Sequence, residues 1–212
     1  MTNRILINQI EYQWDTKQCH DISIALSSKP DTASAWYVAP VKIEPVRTEQ
    51  FIGSVKEGGS VNFNNITFNP HGNGTHTECV GHISNEFYSI NKCLKEFFFS
   101  CQLVSVTPRK DGDDRIITRP QIEELLKEKE ACKALVIRTM PNDNAKTKRQ
   151  YSDTNPAYFE AAVVELLKER GIDHLLIDLP SVDRELDGGI LAAHQAFWEY
   201  PENPNLKRTI TE

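Results

Sequence analysis

The sequence lacks several features that would place it in a membrane or secreted class. It has no apolar run near the roughly 20 residues that a bilayer span needs. Its first residues carry one basic side chain and a short apolar patch without a cleavage-site pattern, so we expect no signal peptide. Its five cysteines are odd in number and include no Cys-x-x-Cys pair, which predicts free thiols in a reducing cytoplasm.

An excess of positive charge is also missing. The formal net charge of -6 and the pI near 5.6 argue against nucleic acid as a partner. We find no internal repeat and no linker that divides the chain, and 212 residues with 39% hydrophobic content suffice for one sizeable core. We therefore predict a single cytoplasmic domain over residues 1–212, with neither a nucleic-acid nor a membrane partner.

The pattern of apolar residues changes halfway along the chain. Alternating and β-branched segments predict strands over residues 4–11, 20–26, 41–46, 61–68 and 100–106. Buried-type strands at 134–138 and 174–178 then alternate with helices. One helix is predicted to begin at Thr118 with a capping box to Gln121, one to run from Thr154 to Gly171, and one to cover 189–199. This alternation predicts an α/β fold with mixed sheets and flanking helices.

The most distinctive segment runs from Asn69 to His82. It contains three histidines and one carboxylate among glycines and small polar residues. Side chains alternate faces along an extended strand, so His76 and Glu78 are predicted to point the same way, with His82 on that face if the strand continues. Imidazole and carboxylate ligands are typical of zinc or manganese sites, and glycines let the backbone approach a ligand closely. The segment predicts a metal-dependent active-site loop.

A second cluster of chemically active side chains lies late in the chain. Asp178 and Asp183 bound an Asp-x-Pro-Ser-x-Asp run, His194 follows two alanines, and Glu212 is the last residue supplied. If the fold brings the His194–Glu212 pair to the first cluster, the two imidazole–carboxylate pairs would hold two metal ions or complete the shell of one; spacing alone does not show that they meet. Asp178 and Asp183 are predicted either to orient ligand histidines or to cap helices and bond loops.

The two clusters resemble the motifs of the cyclase family of metal-dependent hydrolases, which includes bacterial kynurenine formamidase and isatin hydrolase. Residues 74–82 match most of the family's His-x-Gly-Thr-His-x-Asp-x-Pro-x-His loop, and residues 178–183 and 193–194 match its later motifs. The resemblance implies a swivelling β/β/α fold and a homodimer or higher homo-oligomer. It also implies zinc or manganese as one or two divalent ions, and the hydrolysis of amides.

By position, the resemblance assigns the general acid–base role to His82 and implies a set of metal ligands: His71, His76, Glu78, His194 and Glu212. Three departures from the family pattern stand out. The family's first histidine falls at Gly72, so a one-residue bulge would have to bring His71 to the metal. Glu78 replaces an aspartate. Glu212 implies either a chain truncated at its C-terminus or a lengthened spacing from His194.

The leading functional prediction is an arylformamidase-like (kynurenine formamidase-like) hydrolase of tryptophan catabolism. It would cleave a non-peptide C–N bond of a small-molecule amide with metal-activated water, while His82 protonates the departing nitrogen. Two alternatives stay open. One is a ring-opening hydrolase or lactonase similar to isatin hydrolase, and the other is a non-catalytic metal-binding protein.

Overall fold

The computed structural model describes residues 2–7, 9–15, 17–127 and 130–212. Within those ranges the strands are β1 (Thr2–Ile7), β2 (Ile10–Asp15), β3 (Lys42–Pro45), β4 (Asn64–Thr67), β5 (Thr77–Glu78), β6 (Cys101–Val106), β7 (Arg109–Asp111), β8 (Asp114–Ile117), β9 (Ala134–Thr139), β10 (Tyr158–Phe159), β11 (His174–Ile177) and β12 (Thr209–Thr211). The helices are α1 (Pro70–Asn73), α2 (Ile90–Cys93), α3 (Arg119–Leu126), α4 (Ala161–Glu169) and α5 (Ala192–Trp198), with 3₁₀ turns at Val55–Glu57, Val80–His82 and Asn144–Lys148. None of these helices is both long and apolar enough to cross a bilayer.

The chain divides into two compact units, each assembled from segments that are distant in the sequence. The first unit contains residues 1–23, 77–142 and 155–212, and the second contains residues 24–76 and 143–154. The assignment of residues 1–212 to a single domain stays a prediction.

The main sheet of the first unit has five strands in the order β5–β12–β11–β9–β6. β6, β9, β11 and β12 run parallel, and β5 runs antiparallel to β12. Strands of a parallel sheet are covered on both faces and are therefore apolar on both. Ala134, Leu135 and Ile137 of β9 are accordingly all buried, which explains the continuous apolar run there.

The helices of the first unit bury apolar stripes in one core. The capping box predicted at Thr118 is confirmed, because Oε1 of Gln121 accepts the backbone N–H of Thr118 at 3.1 Å. α4 packs against both α3 and α5. The core includes the buried side chains Ile122, Leu135, Val163, Leu167, Leu175, Phe197, Trp198 and Ile210. Burial of one such aliphatic or Phe side chain stabilises the fold by about 1.5–3 kcal/mol.

The second unit joins its two segments through backbone hydrogen bonds. β3 and β4 pair antiparallel, with Lys42 opposite Thr67. Ser34 bridges to Gln150, and the N–H of Tyr151 donates to the carbonyl of Ser34 at 2.8 Å.

The predicted α/β class with mixed sheets and flanking helices is confirmed, whereas several predicted boundaries are wrong. Residues 4–7 and 10–11 belong to two antiparallel strands, β1 and β2; residue 9 lies in a turn, and residue 8 lies outside the described residues. Residues 20–26 form no strand, because the carboxylate of Asp21 accepts both the N–H and the hydroxyl of Ser23 in a local turn.

The helix predicted to begin at Thr154 begins later, at Ala161. The hydroxyl of Thr154 donates to the carbonyl of Tyr151 at 2.6 Å, so it closes a turn instead of capping a helix. Asn155 then has a left-handed φ of 45°, and residues 158–159 pair with β8.

Candidate functional site

Glu78 enters the interior of the first unit on the short strand β5. It lies opposite Ile210 of β12, and in the adjacent pair the hydroxyl oxygens of Thr77 and Thr211 are 2.8 Å apart. Glu78 is only 5% exposed. A buried carboxylate destabilises a protein unless hydrogen bonds or positive charges compensate it, so the neighbours of Glu78 determine what it does.

His82 approaches Glu78 through a turn that follows the strand. The N–H of His82 donates to the carbonyl of Cys79 at 2.9 Å, which closes the 3₁₀ turn Val80–His82. Nδ1 of His82 then lies 3.5 Å from Oε2 of Glu78. The sequence placed His82 on the face of His76 and Glu78 only if the strand continued, and that condition is not met. The strand ends at Glu78, and the turn brings the two side chains together.

His194 supplies a buried imidazole from the first turn of α5. Its Nε2 lies 3.1 Å from Oε1 of Glu78, and its Nδ1 lies 2.6 Å from Oδ2 of Asp183. Burial alone would lower the pKa of His194. The hydrogen bonds to Asp183 and Glu78 outweigh that effect and raise the pKa to about 10. These carboxylates therefore hold His194 as a cation when nothing else neutralises them.

Glu212, the residue that follows β12, completes this cluster. Its Oε1 lies 3.9 Å from Nε2 of His194 and accepts the backbone N–H of Val182 at 2.9 Å. The side chain is 5% exposed. Burial and the neighbouring carboxylate of Glu78 raise the pKa of Glu212 well above its ordinary range.

The charges and donor atoms of the cluster fit a divalent cation. Three buried carboxyl groups, those of Glu78, Asp183 and Glu212, surround the single buried imidazole of His194. The side chains of Glu78, His82 and His194 each offer one ligand atom, and these atoms lie within 4.8 Å of one another. Nitrogen and carboxylate oxygen together suit first-row divalent metals, because such ions neutralise the excess of negative charge and accept both donor types.

His71 and His76 meet within the second unit. Their rings form an edge-to-face pair with centroids 4.5 Å apart. His71 lies in the helical turn α1, in which Oδ1 of Asn69 accepts the N–H of His71 at 3.0 Å, where a ligand role by the family pattern would require a one-residue bulge. Nδ1 of His76 lies 3.3 Å from the carbonyl oxygen of Gly74, which can only accept, so in the neutral ring Nε2 carries the lone pair. The assignment of both residues as metal ligands stays a prediction.

The two aspartates of the Asp-x-Pro-Ser-x-Asp run have different roles. Asp178 accepts the N–H and the hydroxyl of Thr139 at 2.9 and 2.8 Å, and thereby links the ends of β9 and β11. Asp183 contacts the ring of His194 directly. From the sequence, either aspartate could orient a histidine or bond a loop. The Asp-x-Pro-Ser-x-Asp run marks both residues as candidates, but the packing of α5 decides which carboxylate contacts the histidine.

The fold and the cluster define a mixed α/β protein with a buried histidine–carboxylate site of the kind that binds divalent metal ions. Residues 20–184 match the sequence profile of the family described as "Putative cyclase", which covers more than half of the chain. The chain belongs to this cyclase family, as its motifs predict.

Individual relatives agree with this family. The chain is 28% identical over 150 residues to kynurenine formamidase from Bacillus cereus, a match that covers 68% of this chain and 64% of the relative. The chain thus spans less than two thirds of that relative's length. Its fold resembles isatin hydrolase A from Labrenzia aggregata bound to benzyl benzoate, with a TM-score of 0.58 and 13% identity over 90% of this chain and 78% of the other. It also resembles a "Potential Metal-Dependent Hydrolase With Cyclase Activity", with a TM-score of 0.53 and 15% identity over 81% and 80% of the two chains.

Proposed function

We propose that this chain is a metal-dependent hydrolase of the arylformamidase type, which cleaves the C–N bond of a small N-formylated aromatic amine. One observation carries the proposal: Glu78, from the segment that matches the family's metal-binding loop, has Oε1 3.1 Å from Nε2 of His194 and Oε2 3.5 Å from Nδ1 of His82. The kinship to kynurenine formamidase supports the substrate class.

The exposure of the side chains suggests how the roles are divided. Glu78 and His194 have side chains that are 4% and 2% exposed, as suits groups that hold an ion away from bulk water. The side chain of His82 is 32% exposed, so it can meet a substrate that enters from solvent. We assign metal ligation to His71, His76, Glu78, His194 and Glu212, and proton transfer to His82.

The proposed chemistry uses each of these groups at a stated atom. A bound divalent ion polarises a carbonyl oxygen and lowers the pKa of water. Glu78 and Glu212 supply carboxylate oxygens and His194 supplies Nε2. His82 holds the proton that the departing amine nitrogen needs, a contribution typically worth about 10²–10⁴-fold in rate. The hydrogen bonds of Asp183 and Glu78 to the ring of His194 keep that ring in one orientation during the proton transfer.

The ion is zinc or manganese, with one or two bound per chain, because the mixed donors suit both metals. The protein is a homodimer or higher homo-oligomer in the cytoplasm and acts in tryptophan catabolism, as the family resemblance implies.

The decisive experiment measures metal content and hydrolysis of N-formylkynurenine together, with and without EDTA. Bound metal with EDTA-sensitive turnover that returns on adding zinc or manganese supports the proposal. Metal without turnover would remove the formamidase assignment but keep the site. Absence of metal after reconstitution would remove both.

A second candidate activity is the ring-opening hydrolysis of isatin. The fold similarity to isatin hydrolase A favours testing it, although that similarity extends to the fold alone. Hydrolysis of isatin without hydrolysis of N-formylkynurenine or formanilide would select this alternative.

A further inference from the structure

Asp183 makes three hydrogen bonds to the first turn of α5. Its Oδ1 accepts the N–H of Ala193 at 2.8 Å, and its Oδ2 accepts the N–H of His194 at 3.1 Å. Oδ2 also lies 2.6 Å from Nδ1 of the His194 ring. One carboxylate, itself 7% exposed, therefore binds both the backbone and the side chain of the same histidine.

We propose that Asp183 is a positioning residue that makes His194 a metal ligand. It keeps a hydrogen on Nδ1 and thereby leaves Nε2 to present its lone pair to an ion on the side of Glu78 and Glu212. Such outer carboxylates fix the tautomer and the ring orientation of ligand histidines. This proposal rests on the metal site of the proposed function.

The residues that precede Asp183 tie the same segment to Glu212. The N–H of Asp183 donates to the hydroxyl oxygen of Ser181 at 3.0 Å, and the N–H of Val182 donates to Oε1 of Glu212 at 2.9 Å. Residues 181–183 thus contact both His194 and Glu212, which come from different elements. The segment sets the spacing between the two proposed ligands.

Asp187 offers a matched control in the same loop, which joins β11 to α5. It also accepts two backbone N–H groups, from Gly189 at 2.7 Å and Leu191 at 2.6 Å. Its described contacts include no imidazole. Asp187→Asn therefore tests the loss of a loop carboxylate ahead of α5, whereas Asp183→Asn also removes the charged acceptor of Nδ1.

The experiment measures Co²⁺ binding to the full chain by visible absorption for wild type, Asp183→Asn and Asp187→Asn. We expect the dissociation constant of Asp183→Asn to rise about 10–100-fold, the range typical for loss of an outer-shell partner. The d–d bands of bound Co²⁺ should also shift, because the imidazole is no longer held in one orientation. Asp187→Asn should match wild type in both respects. Far-UV circular dichroism verifies that each variant is folded.

A second measurement needs no variant. In the Zn²⁺-loaded wild-type protein, nitrogen–proton correlation spectra of the His194 ring should show an exchange-protected proton on Nδ1 and none on Nε2. Equal Co²⁺ affinity and spectra for wild type and Asp183→Asn, or a proton on Nε2 with the metal on Nδ1, would overturn the role of Asp183 alone. Failure of the wild type to bind Co²⁺ would overturn the proposed function and this inference with it.

Discussion

Oε1 of Glu78 lies 3.1 Å from Nε2 of His194, although 116 positions separate the two residues in the sequence. β5 carries one and α5 carries the other, so the contact exists only when the sheet and helix of the first unit have formed. Formation of the proposed metal site is therefore coupled to folding. Any ligand that binds this contact in the native state stabilises the fold by mass action.

The first prediction follows from this coupling. Zn²⁺ at about 100 times its dissociation constant should stabilise the protein by about 2.7 kcal/mol and raise its thermal unfolding temperature. His194→Gln should abolish the rise, whereas substitution of the exposed His20 by Gln should leave it intact. Thermal unfolding with and without Zn²⁺ checks this. An equal rise in His194→Gln would place the ion elsewhere.

The second prediction separates proton transfer from metal binding. His82→Asn should lower kcat for N-formylkynurenine by about 10²–10⁴-fold, because the group that protonates the leaving nitrogen is lost. Metal content per chain should stay at the wild-type value, since the proposed ligands Glu78 and His194 are more deeply buried than His82 and are left intact. Elemental analysis measures the metal content of this variant, and steady-state kinetics measures its kcat. Loss of metal in this variant would make His82 a ligand.

Local sequence signals predicted those elements whose boundaries are set locally. The start of α3 follows from Thr118 and Gln121, because a capping box involves residues only three positions apart. The buried strands β9 and β11 follow from continuous apolar runs. The resemblance to the family also predicted that Glu78 and His194 share one site. A family pattern relates residues that are far apart in the sequence, whereas local spacing relates only neighbours.

The remaining features depend on contacts that no local signal encodes. Thr154 with Pro156 has the signature of a helix start, but the hydroxyl of Thr154 closes a turn with Tyr151 instead. The strand through Glu78 gives way to a 3₁₀ turn in which Gly81 lies against the backbone of Tyr88, a contact between different segments that local spacing does not reveal. The choice of Asp183 over Asp178 as the partner of His194 depends on where α5 packs.

The third prediction concerns the turn that places His82. A Cβ at Gly81 would overlap the backbone carbonyl of Tyr88, which cannot move as a flexible side chain can. Gly81→Ala should therefore cost about 1–3 kcal/mol of stability and also weaken Zn²⁺ binding and turnover, because the segment between Glu78 and His82 must shift.

Gly112→Ala is the control for that change. Gly112 has a φ of +59° and open space around it, so alanine there introduces backbone strain of about 1–2 kcal/mol without a clash. Both variants should lose stability in urea unfolding, but Gly112→Ala should keep wild-type Zn²⁺ affinity. If Gly81→Ala keeps both wild-type Zn²⁺ affinity and wild-type turnover, the turn positions neither Glu78 nor His82.

The fourth prediction is that Glu212→Gln affects binding and stability in opposite directions. In the metal-free protein, burial and the carboxylate of Glu78 already disfavour the charged form of Glu212. The amide oxygen of Gln can still accept the N–H of Val182, so the substitution removes the repulsion and keeps the hydrogen bond. We expect the metal-free variant to gain about 0.5–2 kcal/mol of stability, because functional sites commonly sacrifice stability for activity.

Zn²⁺ affinity of Glu212→Gln should fall about tenfold or more, because a charged ligand becomes a neutral one. Urea unfolding in EDTA and Zn²⁺ titration measure the two effects separately. A loss of stability together with unchanged Zn²⁺ affinity would show that Glu212 is a structural carboxylate and would remove it from the proposed ligand set.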